Sequence, residues 1–276
     1  MTLLVLTTPD KIHEALWTAY SFLFWQGADF ALEIVVDGPV SAEMAKTAQH
    51  VFPGCTTEDG RKYRETDFGY KSINTFVRDF KYGAKLGLIL SKTANRNVIY
   101  CDSDILFFSR SADITSWVSC EQPRPPRFVV DRSSDYLAAP MRKKYRAEGA
   151  DIPTGFNSGF FLTEKGSFSL PFIDNLLEKS RLLNDGKPVT GHWDGAAYHI
   201  GWEYFTEQWI MGASFARARG QPLPEEAFFH SNAGMNPFQK DPTDYSKICM
   251  RHFFGNVRHR LYTNGMPSAK KRMRLP

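Results

Sequence analysis

The residues best placed to do chemistry are two acids one position apart, Asp102 and Asp104, with Ser103 between them. They end the apolar run Val98-Ile99-Tyr100-Cys101, and a second run, Ile105-Leu106-Phe107-Phe108, follows. The pattern reads as a buried strand that delivers a carboxylate pair to its carboxyl edge. Two ionised carboxylates so close repel each other and lose hydration, which raises both pKa values unless a cation sits between them. A divalent ion is the natural partner. Hard oxygen ligands favour Mg²⁺ or Mn²⁺, which complete their shells with water and substrate phosphates, so the pair points to a diphosphate-bearing substrate. By itself an Asp-x-Asp triplet also fits one acid capping a following turn beside a solvated one, and the rest of the chain has to decide.

Three further segments carry suitable chemistry. In Phe156-Asn157-Ser158-Gly159-Phe160 a glycine permits close backbone approach and Asn157 offers both donor and acceptor, equipment for gripping sugar hydroxyls. The same residues would serve as a plain turn before a strand at Phe160 to Thr163. Thr206-Glu207-Gln208-Trp209 sets an acid beside an amide on an expected helix. In His252-Phe253-Phe254-Gly255-Asn256-Val257-Arg258 an imidazole can complete a Mn²⁺ site begun by two carboxylates, and Arg258 can bind a diphosphate.

The elements that must position these groups alternate between strand and helix. Leu3 to Leu6 is a short strand ending in Thr7-Thr8-Pro9-Asp10, which caps a helix running to about Trp25. Leu32 to Val36 is a second strand closed by Asp37-Gly38-Pro39, and a helix follows over roughly Ser41 to Val51. Phe52 to Asn74 is polar, and Thr75 to Ser91 is apolar at helical spacing. Strands alternating with helices imply an α/β fold with a mostly parallel central sheet flanked by helices. Ligands of such sheets bind beyond the carboxyl ends of the strands, so Thr7, Thr8, Asp102 and Asp104 should face one crevice.

With 276 residues the chain can bury a large core, and a single domain over 1–276 with a basic tail from about 266 is expected. Hydrophobic content of 42% and charged content of 23% are ordinary for a globular protein. A net charge of +4 suits phosphate-bearing ligands and is too weak to indicate nucleic acid. Met1 to Leu6 lacks the basic start of a signal peptide and is far shorter than a membrane span, so a cytoplasmic protein is expected. Cys55, Cys101, Cys120 and Cys249 form no Cys-x-x-Cys pair and are expected to be reduced thiols. The tail Lys270-Lys271-Arg272-Met273-Arg274 is either a solvated, disordered end or a contact with an anionic membrane surface. The stretches His192 to Gly195 and Tyr198 to Phe205 combine aromatic faces with carboxylates, as a core or as a saccharide acceptor site would.

In this order the segments resemble the GT-A nucleotide-sugar glycosyltransferases, especially family 8, which includes glycogenin and bacterial lipooligosaccharide galactosyltransferases. The resemblance covers residues 3–8, 85–108, 156–163, 206–209 and 252–258. It implies that Asp102, Asp104 and His252 bind the metal, with Ser103 beside the donor. It also implies that Arg258, in place of the family's lysine, and Gly255 belong to a late His-x-x-Gly-x-x-Lys motif at the diphosphate. Lys85, seventeen positions before Asp102, matches a donor-contacting basic residue. Thr7 and Thr8 resemble the uridine-contacting end of strand one, and Asp131 a donor-facing acid. Asn157 falls in the family's Asn-Ala/Ser-Gly. Glu207-Gln208 looks like its Asp-Gln pair at the transferred sugar, with one methylene added to the acid.

The implied reaction moves a hexose from a nucleotide diphosphate sugar, by resemblance a UDP-sugar, to a saccharide or glycoconjugate acceptor with retention of configuration. A silent sugar-binding protein on the same fold would keep the sheet without the chemistry. A phosphatase of the haloacid dehalogenase type would want Asp-x-Asp near the N-terminus followed by Gly-Thr or Gly-Val, which Ile105-Leu106 does not provide. A nucleotidyltransferase would want a Gly-rich basic loop after strand one, and Thr7-Thr8-Pro9-Asp10 offers none.

Overall fold

Alternation along strand β1 (Thr2–Thr7) sends Leu3 and Val5 to one face of a sheet and Leu4 to the other, and each face is covered by helices. The structure, a computed structural model, describes residues 1–27, 29–121, 123–131, 142–143, 145–147, 149–184, 189–193, 196–200, 202–230, 236 and 238–275, with the side chains of 181–205 and His230 left aside. The aromatic stretches 192–195 and 198–205 therefore lie outside the described side chains; the backbone of 189–193 and 196–200 forms the antiparallel pair β8 (Val189–Trp193) and β9 (Ala196–Ile200).

The central sheet has seven strands. β2 (Ala31–Val36), β3 (Thr56–Asp59) and β4 (Val98–Asp102) continue β1 in parallel, in the order β4-β1-β2-β3. On the other side β7 (Phe156–Thr163) runs antiparallel to both β4 and β6 (Arg127–Val130), and β10 (Gln221–Pro222) closes the edge in parallel with β6. Helices α1 (Ile12–Gln26), α2 (Ala42–Val51) and α5 (Ala112–Ser119) cover the face of Leu3 and Val5. Helices α3 (Lys71–Asp79), α4 (Gly83–Thr93), α6 (Leu170–Asn184) and α7 (Trp202–Arg217) cover the face of Leu4. The expected α/β class with a mostly parallel sheet is the one observed.

Four local features differ from the sequence expectation. The helical run at 75–91 is two helices, because α4 starts against the end of α3: a Cβ at Gly83 would lie 2.3 Å from the Val77 carbonyl oxygen. The polar stretch 52–74 contributes the edge strand β3 and a 3-10 turn, Gly60–Arg64. Phe156 to Gly159 is the buried start of β7 rather than a turn. The basic tail forms helix α8 (Met266–Arg272), anchored by buried Ala269 and Met273 and by Arg272 Nε donating to the Phe108 carbonyl at 2.7 Å, with Lys270, Lys271 and Arg274 exposed.

The largest departure concerns the apolar run through the two acids. It does not stay in one sheet. The chain turns at Ser103-Asp104, and β5 (Ile105–Phe107) joins a second sheet between Asp104 and the C-terminal third, antiparallel to β12 (Met250–His252), which in turn pairs with β11 (Phe228–His230). All four cysteines are free thiols. Among the described residues no helix is long and apolar enough to cross a membrane.

Candidate metal and donor site

Strand direction alone collects most of the chemistry-bearing residues at one sheet edge. β1 and β4 run in parallel with Leu6 opposite Asp102, which sets Thr7 and Thr8 beside the acid pair. β7 runs the other way with Phe160 opposite Cys101, so Asn157, Ser158 and Gly159 lie along the same edge. β6 is antiparallel to β7 and delivers Asp131 there, its backbone N–H donating to the Gly155 carbonyl at 2.6 Å. The second sheet supplies the rest. His252 is the register partner of Ile105, and the Phe253 N–H donates to the Asp104 carbonyl at 2.8 Å, so the imidazole arrives next to the carboxylate one residue before that pairing.

One carboxylate oxygen each from Asp102 and Asp104 and one ring nitrogen of His252 all lie within 4.8 Å of one another. Ligands on opposite sides of an ion with bonds of ~2.1 Å are ~4.2 Å apart, so a small contraction accommodates Mg²⁺ or Mn²⁺. The donor set, two carboxylates and one imidazole, fits Mn²⁺ better than softer ions. Gly159 makes the approach of His252 feasible, since a Cβ there would lie 2.4 Å from His252 Cε1.

Each acid has its own cationic support. Asp102 Oδ2 accepts from Lys85 Nζ at 3.2 Å and Oδ1 from the Tyr100 hydroxyl at 2.5 Å. Lys85 also donates to Ser158 Oγ at 3.1 Å and stands 3.9 Å from Glu207 Oε1, while the Ser158 hydroxyl donates to Glu207 Oε2 at 3.1 Å. Burial opposes the charge of Lys85, but the carboxylates of Asp102 and Glu207 outweigh it and hold its pKa above the ordinary lysine value. Burial likewise pushes the Glu207 carboxyl up, and Lys85 only partly offsets this. The hydroxyl of Tyr100 and the thiol of Cys101, both buried next to the acids, are raised well above their ordinary values.

Asp104 Oδ1 lies 3.1 Å from His252 Nε2, and Oδ2 accepts from Arg258 Nη1 at 3.2 Å. Burial would raise its pKa, yet His252 and Arg258 together hold it below the usual carboxylate value. The rise expected for an unsupported acid pair is thus reversed at Asp104. Ser103, between the acids, is buried and its carbonyl accepts from Thr18 Oγ1 on α1 at 2.7 Å.

The remaining expected residues fall around this cluster with different closeness. Thr7 is buried with its hydroxyl on the Lys11 carbonyl at 3.0 Å, and Thr8 bonds Asp10 at 2.6 Å. The Asn157 side chain accepts from the Gly159 N–H at 2.8 Å. Gly255 opens the 3-10 turn Gly255–Val257 with φ +40°, a conformation that favours glycine, and the turn aims Arg258 at Asp104. Gln208 is half-buried on α7.

Three participants escaped the sequence reading. Tyr100 was readable, because a residue two positions before Asp102 on a strand shares its face. Glu14 and Tyr262, which hold Arg258, carried no signal: an acid in the first turn of a helix is commonplace, and the partners are remote in sequence.

No protein-family profile matches the sequence, and no curated protein does either. Solved structures do match the fold. The chain is similar to mouse xyloside xylosyltransferase 1 at 15% identity and TM-score 0.57, covering 93% of this chain and 98% of that one. The galactosyltransferase LgtC, in complex with donor and acceptor sugar analogues, matches at 12% identity and TM-score 0.56 over 99% of this chain and 94% of that one. The bifunctional glycosyltransferase WbbM matches at 14% identity and TM-score 0.53, this chain spanning 46% of its length. The chain thus has the fold of the GT-A glycosyltransferases, with an Asp-Asp-His cluster at the carboxyl edge of its sheet.

Proposed function

We propose that residues 1–276 form a single metal-dependent glycosyltransferase domain that moves a hexose from a nucleotide diphosphate sugar, a UDP-sugar by resemblance, to a saccharide or glycoconjugate acceptor with retention of configuration. The observation that carries this reading is the convergence of Asp102, Asp104 and His252 from two different sheets onto one point. These residues would hold Mn²⁺ or Mg²⁺. When bound, the ion supplies positive charge to a diphosphate leaving group, whose negative charge grows as the glycosidic bond breaks.

The protein's own groups divide the remaining work. Arg258 presents Nη1 at the acid pair, where it can bind a diphosphate oxygen and strengthen that contact as charge develops. Lys85 neutralises Asp102 and Glu207 and fixes the carboxylate of Asp102, so its effect on the donor acts through the acid cluster. Thr7 and Thr8 border the expected base pocket, and Asp131 and Asn157 the sugar. Glu207 orients sugar hydroxyls from its place beside Ser158, and the Gln208 amide oxygen steadies positive charge at the anomeric carbon. The acceptor hydroxyl attacks the anomeric carbon from the face of the departing diphosphate as the glycosidic bond breaks and gives its proton to a leaving phosphate oxygen, which keeps the configuration and needs no covalent nucleophile.

The test is a thermal-shift screen of nucleotide sugars with and without Mn²⁺, followed by assay of nucleoside diphosphate release. A true donor at 100 times its dissociation constant should add about 2.7 kcal/mol in Mn²⁺, and the same compound should be turned over. Stabilisation without release would mean a nucleotide-sugar binding protein, and silence across all donors would remove the reading. The exposed cations Lys270, Lys271 and Arg274 on and just after α8 support a peripheral contact with anionic lipid. Salt-sensitive sedimentation with phosphatidylserine vesicles, absent with phosphatidylcholine, is the expected result, and sedimentation with neither sinks it.

A further inference from the structure

Arg258 reaches the acid pair with only part of its guanidinium. Its Nε donates to Glu14 Oε1 at 3.2 Å and its Nη2 bonds Glu14 Oε2, so one edge of the plane is gripped by a carboxylate on α1. Nη1 is left pointing at Asp104 Oδ2, 3.2 Å away. The Tyr262 hydroxyl also donates to Glu14 Oε1. The side chain of Glu14 is only 3% exposed, whereas that of Arg258 is 26% exposed. The buried partner is therefore the fixed one and the half-exposed partner is what it holds. Glu14 also occupies the first turn of α1, where the helix dipole favours a negative charge. The burial of Glu14 is what separates this pair from a solvated one such as Arg61–Asp59, which has a similar two-point grip but a far more exposed carboxylate.

Resting on the glycosyltransferase reading, we propose that Glu14, with Tyr262, is a positioning residue that orients the Arg258 guanidinium so that Nη1 serves the donor diphosphate. A planar fork can be gripped on one edge and still present a donor on another, whereas an ammonium is a point charge without edges. This suits arginine at position 258: Nε and Nη2 hold Glu14 while Nη1 faces Asp104, a division between separate nitrogens that the single nitrogen of a lysine does not reproduce. Glu14 does not touch the donor. It acts through Arg258, by removing rotational freedom that binding would otherwise have to freeze.

The experiment measures binding of UDP and UMP in Mn²⁺ by calorimetry, together with melting temperatures, for wild type, Glu14→Gln, Tyr262→Phe, Arg258→Lys and the double variant Glu14→Gln/Arg258→Lys. UMP lacks the second phosphate and controls for the nucleoside pocket. Glu14→Gln should weaken UDP binding about tenfold while UMP binding is unchanged, and Tyr262→Phe should act in the same direction by about threefold. In the Arg258→Lys background, Glu14→Gln should change UDP affinity less than about twofold, because the anchored fork is already gone. Equal losses for UDP and UMP, a tenfold effect that persists in the Arg258→Lys background, or a lowered melting temperature with unchanged UDP affinity would each overturn the positioning role. If wild-type protein does not bind UDP in Mn²⁺, the UDP-sugar reading fails and this role fails with it. Normal wild-type binding with a silent Glu14→Gln removes the positioning role alone.

Discussion

Asp104→Asn is expected to reduce Mn²⁺-dependent affinity for a nucleoside diphosphate by more than about 100-fold, a loss above about 2.7 kcal/mol. The two oxygens of Asp104 face different partners, His252 Nε2 at 3.1 Å and Arg258 Nη1 at 3.2 Å, so this one carboxylate links the imidazole to the guanidinium. Asparagine keeps the shape and the turn at Ser103-Asp104 but replaces an anionic ligand with a weakly donating amide. Stability should fall by only about 1–3 kcal/mol, because Arg258 retains Glu14 as a partner. The Asp104 carboxyl is held below its ordinary range when folded, so its ionised form contributes stability above the unfolded carboxylate pKa and loses it as pH drops through the folded value. The stability gap between wild type and variant should therefore narrow in acid. Calorimetric titration of UDP with and without Mn²⁺ is the decisive measurement, and unchanged Mn²⁺-dependent affinity would exclude Asp104 as a ligand.

Lys85→Met should instead cost stability, about 3–5 kcal/mol at neutral pH. The ammonium is the one described cation set between Asp102 at 3.2 Å and Glu207 at 3.9 Å, and methionine fills its volume without its charge. From sequence, a substitution at Lys85 is expected to slow turnover and leave the fold intact. The slowed turnover remains expected, but the intact fold does not, because the side chain of Glu207 is only 4% exposed and would be left with a single hydroxyl donor, Ser158. The pH dependence follows from burial of Glu207, which already raises its carboxyl pKa above the unfolded value. A raised acid is favoured in its neutral form by folding, so it contributes stability at low pH that disappears as pH rises through the folded pKa. Without Lys85 the deficit should shrink between about pH 8 and about pH 5 as Glu207 takes up a proton, and adding Glu207→Gln should restore part of the loss at the higher pH. Denaturant unfolding at both pH values checks this, and a deficit independent of pH would mean that Glu207 is not the group left stranded.

What was legible in the sequence is what strand periodicity and short-range motifs encode. The run ending in Asp102 had to be a buried strand, and its neighbours Leu3 to Leu6 and Phe160 to Thr163 share its apolar character. At the sheet edge Asp102 and Asp104 could be named because they end such a run, whereas Thr7, Thr8 and Asp131 were assigned through the family resemblance. The exchange of sheets at Ser103-Asp104 was invisible, since Ile105-Leu106-Phe107 continues the apolar pattern and only pairing with β12 reveals the change. The pairings of Lys85 with Ser158 and of Glu14 with Arg258 were equally hidden, because side-chain partners across 73 and 244 positions leave no local periodicity.

The β5–β12 pairing also sets when the site can come into being. Asp102 ends β4, which can pair as soon as β1 and β4 exist, and Asp104 follows two positions later, but His252 reaches them only through a strand made much later. Contacts of such long sequence separation form late, after the loop entropy between them has been overcome. A chain still being synthesised short of residue 252 would therefore carry an acid pair without its imidazole, and metal capture would mark the last stage of folding rather than guide it.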